Sequence, residues 1–361
     1  MKLEPFMALE TSGARGVTPF YISGTLYLAM PQLAEDQLAF PPNMNGGNSH
    51  THTIIFVWKN STFERFQTLP VQGGEDVDFG VVEGTPMLAV ANIRSGEQPH
   101  FNTHVDSQVF AWDGKAFQLQ QSIPTFAAKG ACLFQVNSQN FLGISQGVKE
   151  SPLDDQQNMN AQLFFWNGQA FEWFQTLPGS WGYNLSYFEI IGSHYLTVPD
   201  HLGPSQLYVW KDGQFELVQS FGQSGGGRKF CHFISEGQHY LAFANLLHDS
   251  QLYQWNGQSF DLIQTFEGVG GRSFHFKRLK GADYLFRTNF ITGTREAPIS
   301  KQLSQVYVRH GEKFELVTTY TTFGGTDATT VEADGMDFLV VSHSLTEDLR
   351  FNVPSQVYRI L

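Results

Sequence analysis

Residues 249–266, DSQLYQWNGQSFDLIQTF, alternate apolar and polar positions on either side of an Asn-Gly pair. Leu252 and Tyr253 lead into Trp255, Asn256-Gly257 makes a turn, and Phe260, Leu262 and Gln264 carry a return strand. Alternation of period two broken by Asn-Gly predicts a β-hairpin. The pattern recurs at 204–221, 160–177, 106–123, 51–69 (with an irregular turn) and 303–320, which makes six complete copies.

A seventh copy is divided between the ends. PSQVYRIL at 354–361 is its first half, and Lys2-Leu3-Glu4-Pro5-Phe6 followed by Leu9 resembles its second. Each copy is preceded by two further strand signals; in the fifth these are RKFCHFIS (228–235) and HYLAFA (239–244). Four strands per repeat and seven repeats predict an all-β fold, a seven-bladed β-propeller of four-stranded blades. Residues 3–9 are expected to pair with 356–360, so that the N-terminal strand closes the ring and leaves no sheet edge open. Residues 1–361 then form a single propeller domain, with repeat boundaries near 60, 114, 168, 213, 257 and 311 and residues 1–10 completing the last blade. Glycine pairs such as Gly270-Gly271 and Gly324-Gly325 precede the first strands, where backbones crowd near the ring axis.

The recurring Ser-Gln-Leu-Tyr-x-Trp…Phe-x-x-x-Gln hairpin, with the Tyr-Leu…Asn strand clearest at Tyr240-Leu241 to Asn245 and Tyr284-Leu285 to Asn289, resembles the epilepsy-associated (EAR, or epitempin, EPTP) repeat along essentially the whole chain. The resemblance implies a seven-bladed propeller. It also implies the properties of that domain in the secreted leucine-rich, glioma-inactivated proteins, where it binds receptor ectodomains and can hold calcium in its channel.

Composition narrows the function classes. The chain of 361 residues has a formal net charge of −12 and no Lys/Arg run, so nucleic acid is not an expected partner. No apolar run is long enough to span a bilayer. MKLEPFMALE lacks the apolar segment of a signal peptide, so the chain reads as cytosolic, or as secreted if a signal was removed. Cys132 and Cys231 share a register in blades that are not neighbours, which predicts free buried thiols rather than a disulfide.

Length variation is confined to one class of loop, between second and third strands. It holds about 20 residues in blade 1, 14 in blades 2, 3 and 6, 11 in blade 7 and 4 in blades 4 and 5. These loops share one face of the disc, where recognition residues are expected. Twelve residues before the aromatic-Leu pair of each second strand stand Arg15, Glu75, Lys129, Tyr183, Arg228, Arg272 and Thr326. Asp76, Asn184, Lys229, Ser273 and Asp327 follow one position inward, and Thr18, Asp78, Cys132, Ser186, Cys231, His275 and Thr329 lie below. A ring whose members differ from copy to copy suggests a shaped polar site at the channel mouth rather than a structural repeat, although mutually neutralising channel charges would give the same list.

Arg15, Lys129, Arg228, Lys229 and Arg272 are the candidate ligand-binding groups, with Arg228 and Arg272 a guanidinium pair for one carboxylate, sulfate or phosphate. Glu75, Tyr183, His275 and Asp327 are the candidates for proton transfer if the mouth is catalytic. Asp76, Asp78 and Asp327 offer hard oxygen ligands that suit Ca²⁺ in the channel, though no cofactor is required. His50, His52, His100 and His104, in the long loops of blades 1 and 2, could take a transition metal, but surface histidines are more often unliganded. No GxSxG, HExxH or phosphate-loop motif occurs. The leading expectation is a module that binds a small molecule, glycan or protein on the long-loop face; an enzyme acting on a small anionic or polar substrate at the mouth is the alternative.

Overall fold

A computed structural model describes residues 1–149 and 157–361. Seven antiparallel four-stranded sheets form the ring. In blade 5 the order from the axis outward is Gly227–Ser235, Gln238–Asn245, Ser250–Trp255 and Phe260–Phe266. Leu3–Leu9 pairs with Ser355–Ile360, Leu3 opposite Ile360 and Leu9 opposite Ser355, so the first strand of the chain is the outermost strand of blade 7. The expected closure is present, and it extends one residue further, to Ser355.

The motif residues each join two pieces of the ring. The serine that opens the third strand takes the backbone N–H of the residue ending the second: Ser250 Oγ accepts from Asn245 N at 3.2 Å and Ser304 Oγ from Asn289 N at 2.9 Å. The fourth-strand glutamine reaches the next blade. Gln264 Nε2 donates to Phe314 O at 2.7 Å and its Oε1 accepts from Phe314 N at 2.8 Å. The same two-bond clasp joins Gln67 to Phe117, Gln121 to Phe171, Gln175 to Phe215 and Gln219 to Phe260. A β-bulge just before each glutamine, as at Ile263 opposite Leu252 and Tyr253, turns it toward its neighbour.

The tryptophans face the other way, onto the preceding blade. Trp58 packs on Phe338, Trp112 on Tyr27 and Phe66, Trp210 on Phe141 and Phe174, and Trp255 on Tyr195. All four are half-buried. Blade 6 has Arg309 at this position, and its guanidinium bonds Tyr240 Oη at 3.0 Å on blade 5.

Close approach at the axis is visible at Gly271, where a Cβ would lie 2.5 Å from Ser250 Oγ and 2.8 Å from Asn245 O of the preceding blade. Cys132 is buried as expected; Cys231 is only half-buried, and both are free.

Candidate functional site at the channel mouth

The register that sequence comparison singled out proves to be a bulge. Gly227 pairs with Asn245 and Lys229 with Ala244, so Arg228 is the extra residue; Glu75, Lys129, Arg272 and Thr326 are bypassed in the same way. Arg15 and Tyr183 follow the isolated bridges Ala14–Gln32 and Gly182–Asp200 at the matching point of blades 1 and 4. A bulge frees one side chain from the alternation of its strand and re-aims it. Here all but Thr326 line one cavity of about 440 Å³ at the mouth. Thr326 instead donates to Ala14 O at 2.9 Å and closes the junction between blades 7 and 1.

Glu75 is the hub. Its carboxylate lies 3.2 Å from Arg15 Nη2, 3.7 Å from Lys129 Nζ and 3.7 Å from Arg272 Nη2. Burial alone would raise its pKa, but Arg15, Lys129 and Arg272 together outweigh that and hold it at about 2. Arg228 stacks on the Tyr183 ring at 3.9 Å, and Arg272 and Lys129 stand 5.0 and 5.2 Å from the same ring. Arg228 Nη1 also lies 2.9 Å from His201 Nδ1. Burial, then Arg228 and Lys129, drive the His201 pKa down to about 3, so the imidazole is neutral and accepts. Burial would raise the Tyr183 phenol, but Arg228, Lys129 and Arg272 bring it below its ordinary value. Among the described residues, four cations thus stand around one carboxylate, three of them in contact with it, and Arg15 Nε and Arg272 Nη1 are buried with no hydrogen-bond partner.

The walls come from loops. Phe101 and Thr103 of blade 2, Val148 of blade 3 and Ile291 of blade 6 border the cavity, with Trp181 and His201 from blade 4. These residues have no counterpart in the repeat pattern, and so no register drew attention to them. Arg94, which follows the Ala-Asn end of the second strand of blade 2, stacks on Phe101 at 3.8 Å and donates to Asn45 O at 2.7 Å.

Below the mouth the channel groups are tied to neighbouring blades. Thr18 Oγ1 donates to Val77 O at 2.5 Å, and Ser186 Oγ to Phe230 O at 2.8 Å. Asp76 Oδ2 accepts from Ala131 N at 3.1 Å and Asp78 Oδ2 from Leu133 N at 2.7 Å. His275 Nε2 accepts from Thr330 N at 3.1 Å, which occupies the lone pair a base would need; its pKa falls to about 4, mainly through burial. Lys229 Nζ pairs with Asp327 Oδ2 at 2.9 Å below the mouth cavity, which it does not line.

Asp76, Asp78 and Asp327 therefore do not converge as a ligand set: two turn to the backbone of blade 3, and the third to an ammonium that already supplies positive charge. Among the described residues no group of three or more His, Cys, Asp or Glu is arranged for a metal ion. His50, His52 and His104 border an open groove between blades 1 and 2, and His100 stands outside it.

A family model for the EPTP domain matches residues 170–211 and 214–256. The chain is a seven-bladed propeller that carries EPTP repeats. Two relatives share part of it. The chain is 26% identical over 180 residues to the mouse thrombospondin-type laminin G domain and EAR repeat-containing protein, a match covering 47% of this chain and 26% of the relative. It is 23% identical over 168 residues to leucine-rich repeat LGI family member 3 of Macaca fascicularis, covering 46% of this chain and 28% of the relative. The matched part is about a quarter of the length of these relatives. A chain in a crystal structure of BBS1N in complex with ARL6DN superposes with a TM-score of 0.58 at 11% identity, over 99% of this chain and 97% of that one, a likeness of fold alone. Among the described residues no helix is long and apolar enough to cross a membrane.

Proposed function

We propose that this EPTP propeller is a binding module whose recognition surface is the long-loop face, with the channel mouth as its anchoring pocket. The observation that carries the reading is the composition of the mouth. Seven equivalent positions that could repeat one residue hold five types instead, and all but Thr326 line one cavity walled by the variable loops. Kinship to proteins that carry the same repeat beside other domains agrees with a role in binding.

The acid–base groups favour binding over proton transfer. Glu75, held at about 2 and surrounded by cations, stays ionised at neutral pH and serves as a counter-ion. Asp327 is paired with Lys229, and the His275 lone pair is taken by a backbone N–H.

The test is a panel of small acids, glycans and protein ectodomains, screened by thermal shift on three proteins: the parent, Arg228→Gln/Arg272→Gln, and a variant whose blade 2 loop is cut to the length found in blade 5. Ligands should bind the parent and be lost from one variant or both. Ligands that bind all three equally would place recognition elsewhere and overturn the reading.

A further inference from the structure

The mouth holds more positive charge than its own structure uses. Lys129, Arg228 and Arg272 are each 4% exposed or less, in a molecule of formal charge −12, and with Arg15 they have, among the described residues, a single carboxylate between them. Burying a cation costs free energy unless an opposite charge or hydrogen bonds compensate it. Three positive charges stand in excess of Glu75 on the cavity floor. Burial brings the Arg228 guanidinium down to about 10, still protonated at neutral pH, so the excess persists. Arg272 borders the cavity, and among the described residues its buried Nη1 has no hydrogen-bond partner, although the residue is only 4% exposed. Above this floor Phe101, Trp181, Phe290, Leu33 and Ile93 give the cavity an apolar and aromatic wall, and Arg94, Lys149 and Arg295 add further positive charge around it.

Resting on the mouth as the anchoring pocket, we infer that its ligand is a small amphipathic dianion, a phosphate monoester on an apolar or aromatic body. The phosphoryl oxygens sit between Arg228 and Arg272, where guanidinium forks offer parallel N–H donors, and Lys129 adds a point charge. The Arg272 Nη1 hydrogens gain an acceptor. A dianion offsets two of the three excess charges, which a carboxylate cannot do. The body of the ligand lies along the aromatic wall. Glu75 sets the limit on charge from below: it keeps Arg15, Lys129 and Arg272 pointing inward without filling the space above them.

Calorimetric titration at pH 7 and constant ionic strength, with phenyl phosphate, benzoate, inorganic phosphate and benzyl alcohol as probes, tests this. Phenyl phosphate should bind tightest, benzoate and inorganic phosphate more weakly, and benzyl alcohol not at all. Arg228→Gln/Arg272→Gln should weaken phenyl phosphate roughly 10- to 100-fold, the effect of losing charge-assisted hydrogen bonds. Phe101→Ala should weaken phenyl phosphate and leave inorganic phosphate unchanged, because it trims only the wall.

The parent series is decisive even if a variant folds poorly. Equal affinity for benzoate and phenyl phosphate overturns the dianion, and equal affinity for phenyl phosphate and inorganic phosphate overturns the apolar body. If no anion binds while a panel ligand still depends on the blade 2 loop, the anion pocket is overturned and the recognition face stands.

Discussion

Individual side chains in this ring have tasks that can be separated by substitution. Gln264 makes both its hydrogen bonds to the backbone of Phe314, so Gln264→Leu leaves a buried N–H and C=O unpaired and should cost about 2–3 kcal/mol in a denaturant titration. Trp210, half-buried between Phe141 and Phe174, should cost about 2–3 kcal/mol on replacement by Ala, less than a fully buried ring. A gain is expected at Ile191. It begins a two-residue turn at φ of 47°, a conformation that crowds a β-branched side chain, yet it is 92% exposed. Ile191→Asn should add about 0.5–1.5 kcal/mol, read as a higher melting temperature. The sequence made the first two positions visible, since Gln and Trp recur at fixed spacing. It did not say that one reaches forward and the other back, because direction around a ring depends on inter-blade packing, to which local alternation is blind.

At the level of strands, the outermost element of blade 7 is the one held differently. Five junctions carry the glutamine clasp, but Thr318 and Met7 occupy the equivalent points of blades 6 and 7. Both junctions beside the closing blade therefore lack it. Deleting residues 1–10 would strip Leu3–Leu9 from Ser355–Ile360 and expose a six-residue edge, so the shortened protein should melt earlier and self-associate in sizing chromatography. An unchanged melt from a monomer would show that closure adds nothing. Strands were legible to within a few residues because each blade writes the same alternation. The bulges were not, since an extra residue leaves no mark on composition; they surfaced only as a column in which the repeats disagree. The loops that wall the cavity are individual to each blade, and Trp181, His201 and Phe101 had no column to stand in.

Over the whole molecule, the channel couples folding to pH. Burial raises Asp78 to about 7, assisted by the charge of Asp76, and raises Asp76 itself to about 6, both from an ordinary value of 3.8. Carboxyls that bind protons more tightly when folded contribute stability that is complete below the unfolded pKa and lost as pH rises through the folded one. The protein should thus lose stability between about pH 4 and pH 7, and Asp78→Asn, which keeps an acceptor for Leu133 N, should flatten that slope and raise the melting temperature at pH 8. Loss of the slope is the result that checks the sign. Blade 7 also has a consequence for how the chain is connected. Lys2 and Leu361 exchange two backbone hydrogen bonds, at 3.2 and 2.9 Å, where the other six blades have a hairpin turn. A short linker between them would supply the missing turn, and a new break could be placed at Asp212-Gly213 of blade 4. Such a circularly permuted chain would carry its open seam across the disc from Arg15, and its opening rate would report how much of the ring's kinetic persistence belongs to the position of the seam.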